Sequence, residues 1–160
     1  MKRKHEERQE IDHLVNRQRS GEQDTYVAPS TLGKHAGLGL FANRDFKNGE
    51  TICEYAGRLV EDTTELTEEQ RRYTLQISRR WCIDASDLKT SSMGRYANEC
   101  REKDKKRLKR LGLSGNNGRF SCNHRTKRAK IIAIRVIHKH DEVFVSYGAD
   151  YWCGRNSVDQ

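Results

Sequence analysis

The chain has 160 residues, enough for one domain, and carries 31 Lys and Arg against 23 Asp and Glu, a formal charge of +8. Charged residues make up 34% of it, above the usual share of about 25%, and a single proline excludes collagen-like or Pro-rich character. No apolar run approaches the ~18 residues of a membrane span, so no membrane partner is expected.

Residues 1–25 read as a polar extension in which acids and bases balance, with Lys2-Arg3-Lys4 as a basic triplet and no apolar stretch of the kind a signal peptide needs. The five cysteines form no C-x-x-C pair, so free thiols in a reducing compartment are expected. From Tyr26 the texture changes. Leu38-Gly39-Leu40-Phe41-Ala42 is a short apolar run after a glycine-rich turn. Asn48-Gly49 marks a turn, and Thr51-Ile52-Cys53-Glu54-Tyr55 is rich in strand formers. Thr67-x-x-Gln70 fits a capping box and predicts a short helix. Tyr73, Leu75 and Ile77, then Trp81, Ile83 and Ala85, alternate with other residues around Ser78-Arg79-Arg80, which predicts a β-hairpin.

Arg101–Arg110 holds seven bases and two acids, a local +5, and Leu108 and Leu111 give it the thin apolar stripe of a short exposed helix. Ser114-Gly115-Asn116-Asn117-Gly118 closes it as a turn cluster. A second basic group, Arg119, Arg125, Lys127, Arg128 and Lys130, adds +5 with no acid between. Ile131 to Ile137, interrupted by Arg135, predicts a buried strand; His138 to Asp141 turns the chain; Val143-Phe144-Val145 predicts a last strand leading to Tyr147-Gly148. Short strands, little helix and frequent turns make a mostly β (α+β) domain.

Common hydrolase signatures are absent: no G-x-S-x-G, H-E-x-x-H or P-loop occurs. His138-x-His140 has no acid or cysteine placed to complete a metal site and reads as a solvated turn, so no metal is expected. Cys100 or Cys122 with His124 lacks the orienting third group of a thiol nucleophile.

Three segments in order carry more. The first runs from Gly37-Leu38-Gly39-Leu40-Phe41-Ala42 through Gly49-Glu50 to Glu54-Tyr55-Ala56-Gly57. The second is Ile83-Asp84-Ala85 and then Gly94-Arg95-Tyr96-Ala97-Asn98-Glu99-Cys100. The third is Asp141-Glu142-Val143-Phe144-Val145-Ser146-Tyr147-Gly148, followed by Tyr151-Trp152. Their order and spacing resemble the SET-domain protein lysine methyltransferases over residues 26–152, with 101–116 as a basic insertion and 153–160 as a short tail.

The resemblance implies a SET fold of several small sheets with a pseudoknot-like threaded C-terminal segment. It implies S-adenosylmethionine as cofactor and a protein lysine, most readily a histone's, as substrate, with the nucleus as the place of action. Gly37, Leu38, Gly39, Arg95, Tyr96, Asn98, Glu99, Tyr147 and Trp152 fall on cofactor positions. Tyr147 and Tyr55 fall on catalytic positions, and Tyr55, Phe120, Val145 and Tyr151 on the lysine channel. Arg95 would brace the threaded loop, and Asn98 would hold the cofactor through its amide. Phe120 in place of a tyrosine implies room for more than one methyl group. The chain departs from the pattern at Glu99, where the family usually has His, and at His140, where a glycine usually precedes the acidic pair. No C-x-C-x₄-C follows Tyr147, so a zinc-bound cap is not expected. The basic run Arg101–Arg110 is a candidate contact for nucleosomal DNA. The residues leave the oligomeric state open, homodimer included. They also leave a rival reading: a catalytically silent SET-like module, or more distantly a plain basic nucleic-acid-binding domain, that grips nucleosomal DNA through its basic face.

Overall fold

A computed structural model describes residues 23–61, 65–101, 104–113 and 115–147. Eight short strands form small antiparallel sheets, with little helix among the described residues. β1 (Thr25–Pro29) pairs with β2 (Leu38–Ala42). β3 (Thr51–Tyr55) and β7 (Gly118–Asn123) flank β8 (Arg128–Ala133). β4 (Arg58–Val60) and β5 (Thr74–Gln76) flank β6 (Cys82–Asp84). Thr25, which the sequence assigns to the extension, is the first residue of β1 and pairs with Ala42.

The hairpin expected around Ser78–Arg80 is β5–β6, with Leu75 opposite Ile83. Leu75, Ile77, Ile83 and Ala85 pack with Tyr55 and Ala129, which explains the alternation. The capping box closes α1 (Glu68–Arg72): the Gln70 amide donates to the Thr67 hydroxyl at 3.2 Å and the Thr67 amide to the Gln70 side chain at 2.9 Å.

Two expectations are corrected. The run from Ile131 does not continue as a strand to Ile137. β8 ends at Ala133, and Ile134 and Val136 are exposed. The Ala133 and Ile134 amides donate to Glu50 and Asn117 carbonyls, which bends the chain before Ile137 is buried beside Phe46. The basic run forms the expected short exposed helix, α2 (Lys105–Arg110), docked through its apolar stripe: Leu108 is buried against Leu32, Cys100 and Phe144, while Leu111 is exposed. Finally, Val143–Val145 is not a ladder strand. It is held by isolated bridges, Glu142 to Phe41 on one side, then Phe144 to Asn98 and Val145 to Gly118 in parallel.

Those bridges make the threaded segment. The Val143 amide donates to Leu40, the Val145 amide to Asn98, and the Asn117 and Gly118 amides both donate to Phe144. The Asn117 side chain adds one bond each way, giving to the Glu142 carbonyl and taking from the Phe144 amide at 2.8 Å. Residues 142–145 are thus laced to β2, to the Asn98 segment and to the start of β7, and all four are buried. His140, just before them, sits at φ 74°, a left-handed conformation that glycine adopts without penalty. Its ring meets the Tyr26 hydroxyl at 3.0 Å.

Candidate active site

The threaded segment delivers Tyr147 to a narrow cleft lined by Tyr55, Arg72, Thr74, Leu75, Arg95, Ala97, Phe120 and Tyr147. Its accessible volume is about 10 Å³, the space of about one water and far below the roughly 300–1,000 Å³ of small-molecule sites, so its walls lie close together. Phe120 on β7 links the tyrosines: its ring is stacked with Tyr147 at 6.2 Å between centroids and edge-on to Tyr55 at 5.4 Å. The two hydroxyls are fixed by main-chain carbonyls, Tyr147 donating to Ala97 and Tyr55 to Tyr73 at 2.8 and 2.7 Å. Both phenols therefore have fixed orientations in a mostly apolar wall.

Asn98 lies on the other side of the Ala97 carbonyl. Its amide donates to the Leu38 carbonyl at 3.0 Å and to Glu142 at 3.3 Å. Glu142, whose place in the motif is visible in the sequence but whose role is not, is the hub of this region. It is buried, and its carboxylate also accepts from the Ser30 hydroxyl and Thr31 amide, both at 2.7 Å, and from the Thr31 hydroxyl. A Cβ on Gly39 would lie 2.8 Å from the Glu142 carboxyl carbon. The missing side chain at Gly39 therefore makes room for Glu142. Gly37 is different: it sits at φ 63° with open space where a side chain would point.

The other expected positions divide. Glu99 accepts the Tyr147 amide at 3.2 Å, so this residue holds the Tyr147 backbone. Arg95 does not brace the threaded loop. Its Nη1 donates to the Ser86 carbonyl at 3.1 Å and its guanidinium stacks on Tyr73, so it ties the loop after β6. Tyr96 is buried in the main core beside it. Val145 is fully buried against Gly118 and does not line the cavity. Tyr151, Trp152 and Gly148 lie outside the described residues.

S-adenosylmethionine, the cofactor that the resemblance implies, finds a compatible donor set in these residues. Its methionine end carries a sulfonium, an ammonium and a carboxylate, a net positive charge, and the Leu38–Asn98 contact is backed by the buried Glu142 carboxylate with Glu99 next in the chain. The open approach at Gly37 leaves main chain accessible there.

Among the described residues Cys53, Cys82, Cys100 and Cys122 form no disulfide, the Cys100 thiol donates to the Arg101 carbonyl at 3.9 Å, and none of the four lines the cavity. Burial pushes the Cys53 thiol up to about 12, with the Glu54 charge adding to it.

The SET domain profile matches residues 37–148. N-lysine methyltransferase KMT5A-B of Xenopus laevis is 32% identical over 108 residues, which is 58% of this chain and 29% of that protein. N-lysine methyltransferase KMT5A of Xenopus tropicalis is 26% identical over 159 residues, 89% of this chain and 41% of its own length. Among solved structures, a humanized mutant of the Chaetomium thermophilum Polycomb Repressive Complex 2, bound to an inhibitor, superposes with a TM-score of 0.60 at 26% identity, covering 82% of this chain and 16% of that one. The chain spans less than half the length of these curated relatives.

Proposed function

The chain belongs to the SET-domain family, and from that premise we propose that it is an S-adenosylmethionine-dependent protein lysine N-methyltransferase whose substrate is a histone lysine in the nucleus. The observation that carries the reading is the narrow cavity between Tyr55, Phe120 and Tyr147, with the Tyr147 hydroxyl held on Ala97 next to the Asn98–Leu38 strip. Relatives named as lysine methyltransferases support the reaction class.

S-adenosylmethionine supplies an electrophilic methyl group on a sulfonium. The reaction is an in-line displacement, and it asks the protein for alignment, exclusion of water and a neutral amine more than for strong acid–base chemistry. Tyr55, Phe120 and Leu75 supply the dry wall. The Ala97 carbonyl and the Tyr147 oxygen are fixed acceptors that attract polarised C–H and N–H groups brought beside them. Asn98, tied to Leu38 and Glu142, holds the cofactor strip against the threaded segment. Phe120 brings no hydroxyl to the channel, which leaves room for an amine that already carries a methyl group.

The basic helix α2 suits contact with nucleosomal DNA: Leu108 faces inward while Lys105, Lys106, Lys109 and Arg110 are exposed. Calorimetry tests the cofactor half of the reading. S-adenosylmethionine and its demethylated product should bind the wild type, and Asn98→Ala should abolish binding. Absence of binding by the folded wild type would overturn the proposal. Binding without transfer to any histone would favour a silent, DNA-gripping module.

A further inference from the structure

Arg95 is the third residue of the 3₁₀ turn Met93–Tyr96 and is 9% exposed. Its guanidinium lies 4.1 Å over the Tyr73 ring and 5.2 Å from that of Tyr96. Nη1 donates to Ser86, but Nε is buried with no hydrogen-bond partner. The same side chain lines the cavity of Tyr55, Phe120 and Tyr147, whose lining contains a second cation, Arg72, and no carboxylate. A guanidinium stays charged at any working pH. Burying one without an anion is costly, and the aromatic faces offset only part of that cost.

Among the described residues the acids on the packed elements are engaged elsewhere. Asp84 on β6 is buried, with Oδ2 on Arg58 at 3.2 Å and Oδ1 accepting the Ser86 amide at 3.0 Å. Glu99 accepts the Tyr147 amide through Oε1 and faces Arg101 at 3.9 Å through Oε2. The Tyr55 and Tyr147 hydroxyls are committed as donors to main-chain carbonyls. Among the described residues Arg95 therefore brings a positive charge to the cavity with no carboxylate in its lining.

We propose that Arg95 sets the protonation state of the lysine in this channel: its buried positive charge excludes the ammonium and admits the neutral amine that can attack a methyl group. The inference rests on the proposed methyltransferase reading. A lysine amine ordinarily titrates near 10.4, so only roughly 10⁻³ of it is neutral at physiological pH. A like charge in a poorly screened site disfavours the ammonium, and each pH unit of depression raises the neutral fraction about tenfold. Arg95 acts through the substrate's protonation and touches no group that the reaction makes or breaks, so it is a positioning residue in the electrostatic sense.

The test counts protons. The full chain is loaded with S-adenosylhomocysteine, whose neutral sulfur removes the cofactor's own cation from the comparison. It is titrated at neutral pH, in buffers of different ionisation enthalpy, with a short peptide spanning the lysine that mass spectrometry finds methylated in core histones. The same peptide with norleucine for that lysine is the control. Wild type should release about one proton per lysine peptide and none with norleucine, because a channel that excludes the ammonium must hold the bound amine's titration below neutral pH, more than about three units under its free value. Arg95→Gln should release fewer, because the ammonium is then tolerated, and the acid limb of its kcat profile should move up by about one pH unit. Arg95→Lys keeps the cation and should release protons as wild type does. Equal release by wild type and Arg95→Gln, or none by an active wild type, overturns the inference and leaves the methyltransferase reading standing. No methyl transfer by wild type to any histone overturns both. If Arg95→Gln does not fold, Arg72→Glu puts an anion at the exposed rim of the same cavity and should lower the proton count; an unchanged count is equally fatal.

Discussion

Replacing Glu142 by Gln keeps the shape of a buried side chain and turns one of its acceptor oxygens into a donor. If the new NH₂ takes the place of Oε2, it faces the Thr31 main-chain N–H, which cannot turn round. If it takes the place of Oε1, the Ser30 hydroxyl can rotate to accept, but the Asn98 amide is left donor against donor. Flipping Asn98 would sacrifice its 3.0 Å bond to Leu38. The second arrangement costs less: the Asn98 bond is lost and the remaining ones become neutral. Bonds to a charged group contribute about 1.5–3 kcal/mol and neutral ones about 0.5–1.5, so one bond lost and three weakened by about 1 kcal/mol each cost about 5 kcal/mol. For a domain of this size each kcal/mol moves the melting temperature by about 2–4 °C, so Glu142→Gln should melt about 10–20 °C below wild type. Thermal unfolding followed by circular dichroism at neutral pH measures it. Melting within about 2 °C of wild type would refute the claim that this carboxylate ties Ser30, Thr31 and Asn98 together.

Tyr147→Phe should lower methyl transfer by roughly 10²–10³ while the fold survives, the cost of losing one preorganised group at a charge-developing site; unchanged turnover would remove Tyr147 from the catalytic role. Phe120→Tyr should shift long-time products toward the monomethyl state with the first transfer kept within about tenfold, which mass spectrometry of a peptide decides. Leu108→Ala should cost about 2–5 kcal/mol by denaturant unfolding if α2 is docked through this residue, and almost nothing if the helix is a loose surface arm. Neutralising four bases of Arg101–Arg110 should flatten the salt dependence of nucleosome binding, each lost phosphate contact removing about 0.9 from the log–log slope. Cys53 keeps its proton to about 12 in the folded chain against 9.0 for an ordinary thiol. Between those values the unfolded chain binds fewer protons, so Cys53 makes stability fall as pH rises through that window. Alkylation at pH 8 should correspondingly be about 10³-fold slower at Cys53 than at a free cysteine; equal rates would show the thiol is not buried.

Local signals were legible where local physics decides. The capping box at Thr67 and Gln70 and the alternation of Leu75, Ile77, Ile83 and Ala85 depend on neighbours in sequence. β1 and β7 escaped because TYVAP and GRFSCN lack a clean period of two; long-range pairing with β2 and β8 makes them strands. Hydrophobicity misled at Ile134 and Val136, where main-chain bonds to distant carbonyls bend the strand outward. The site residues could be picked out by spacing, yet their partners could not. Glu142 reaches Ser30 across 112 positions and Asn98 across 44, and Gly39 admits it for want of a side chain. The cavity likewise assembles Tyr55, Arg95, Phe120 and Tyr147 from four separate elements. His140 is the instructive departure: its φ of 74° accounts for a glycine in that position in relatives, and the Tyr26 contact offsets part of the penalty here.

The most direct test of the central claim is transfer of an isotopically labelled methyl group from S-adenosylmethionine to core histones and to reconstituted nucleosomes, with Tyr147→Phe run in parallel. The account predicts label on lysine in the wild-type reaction, loss of it at least tenfold in the variant, and lysines carrying more than one methyl group at long times. A folded wild type that binds S-adenosylmethionine yet labels no lysine, or a Tyr147→Phe protein that labels it equally well, would contradict the account.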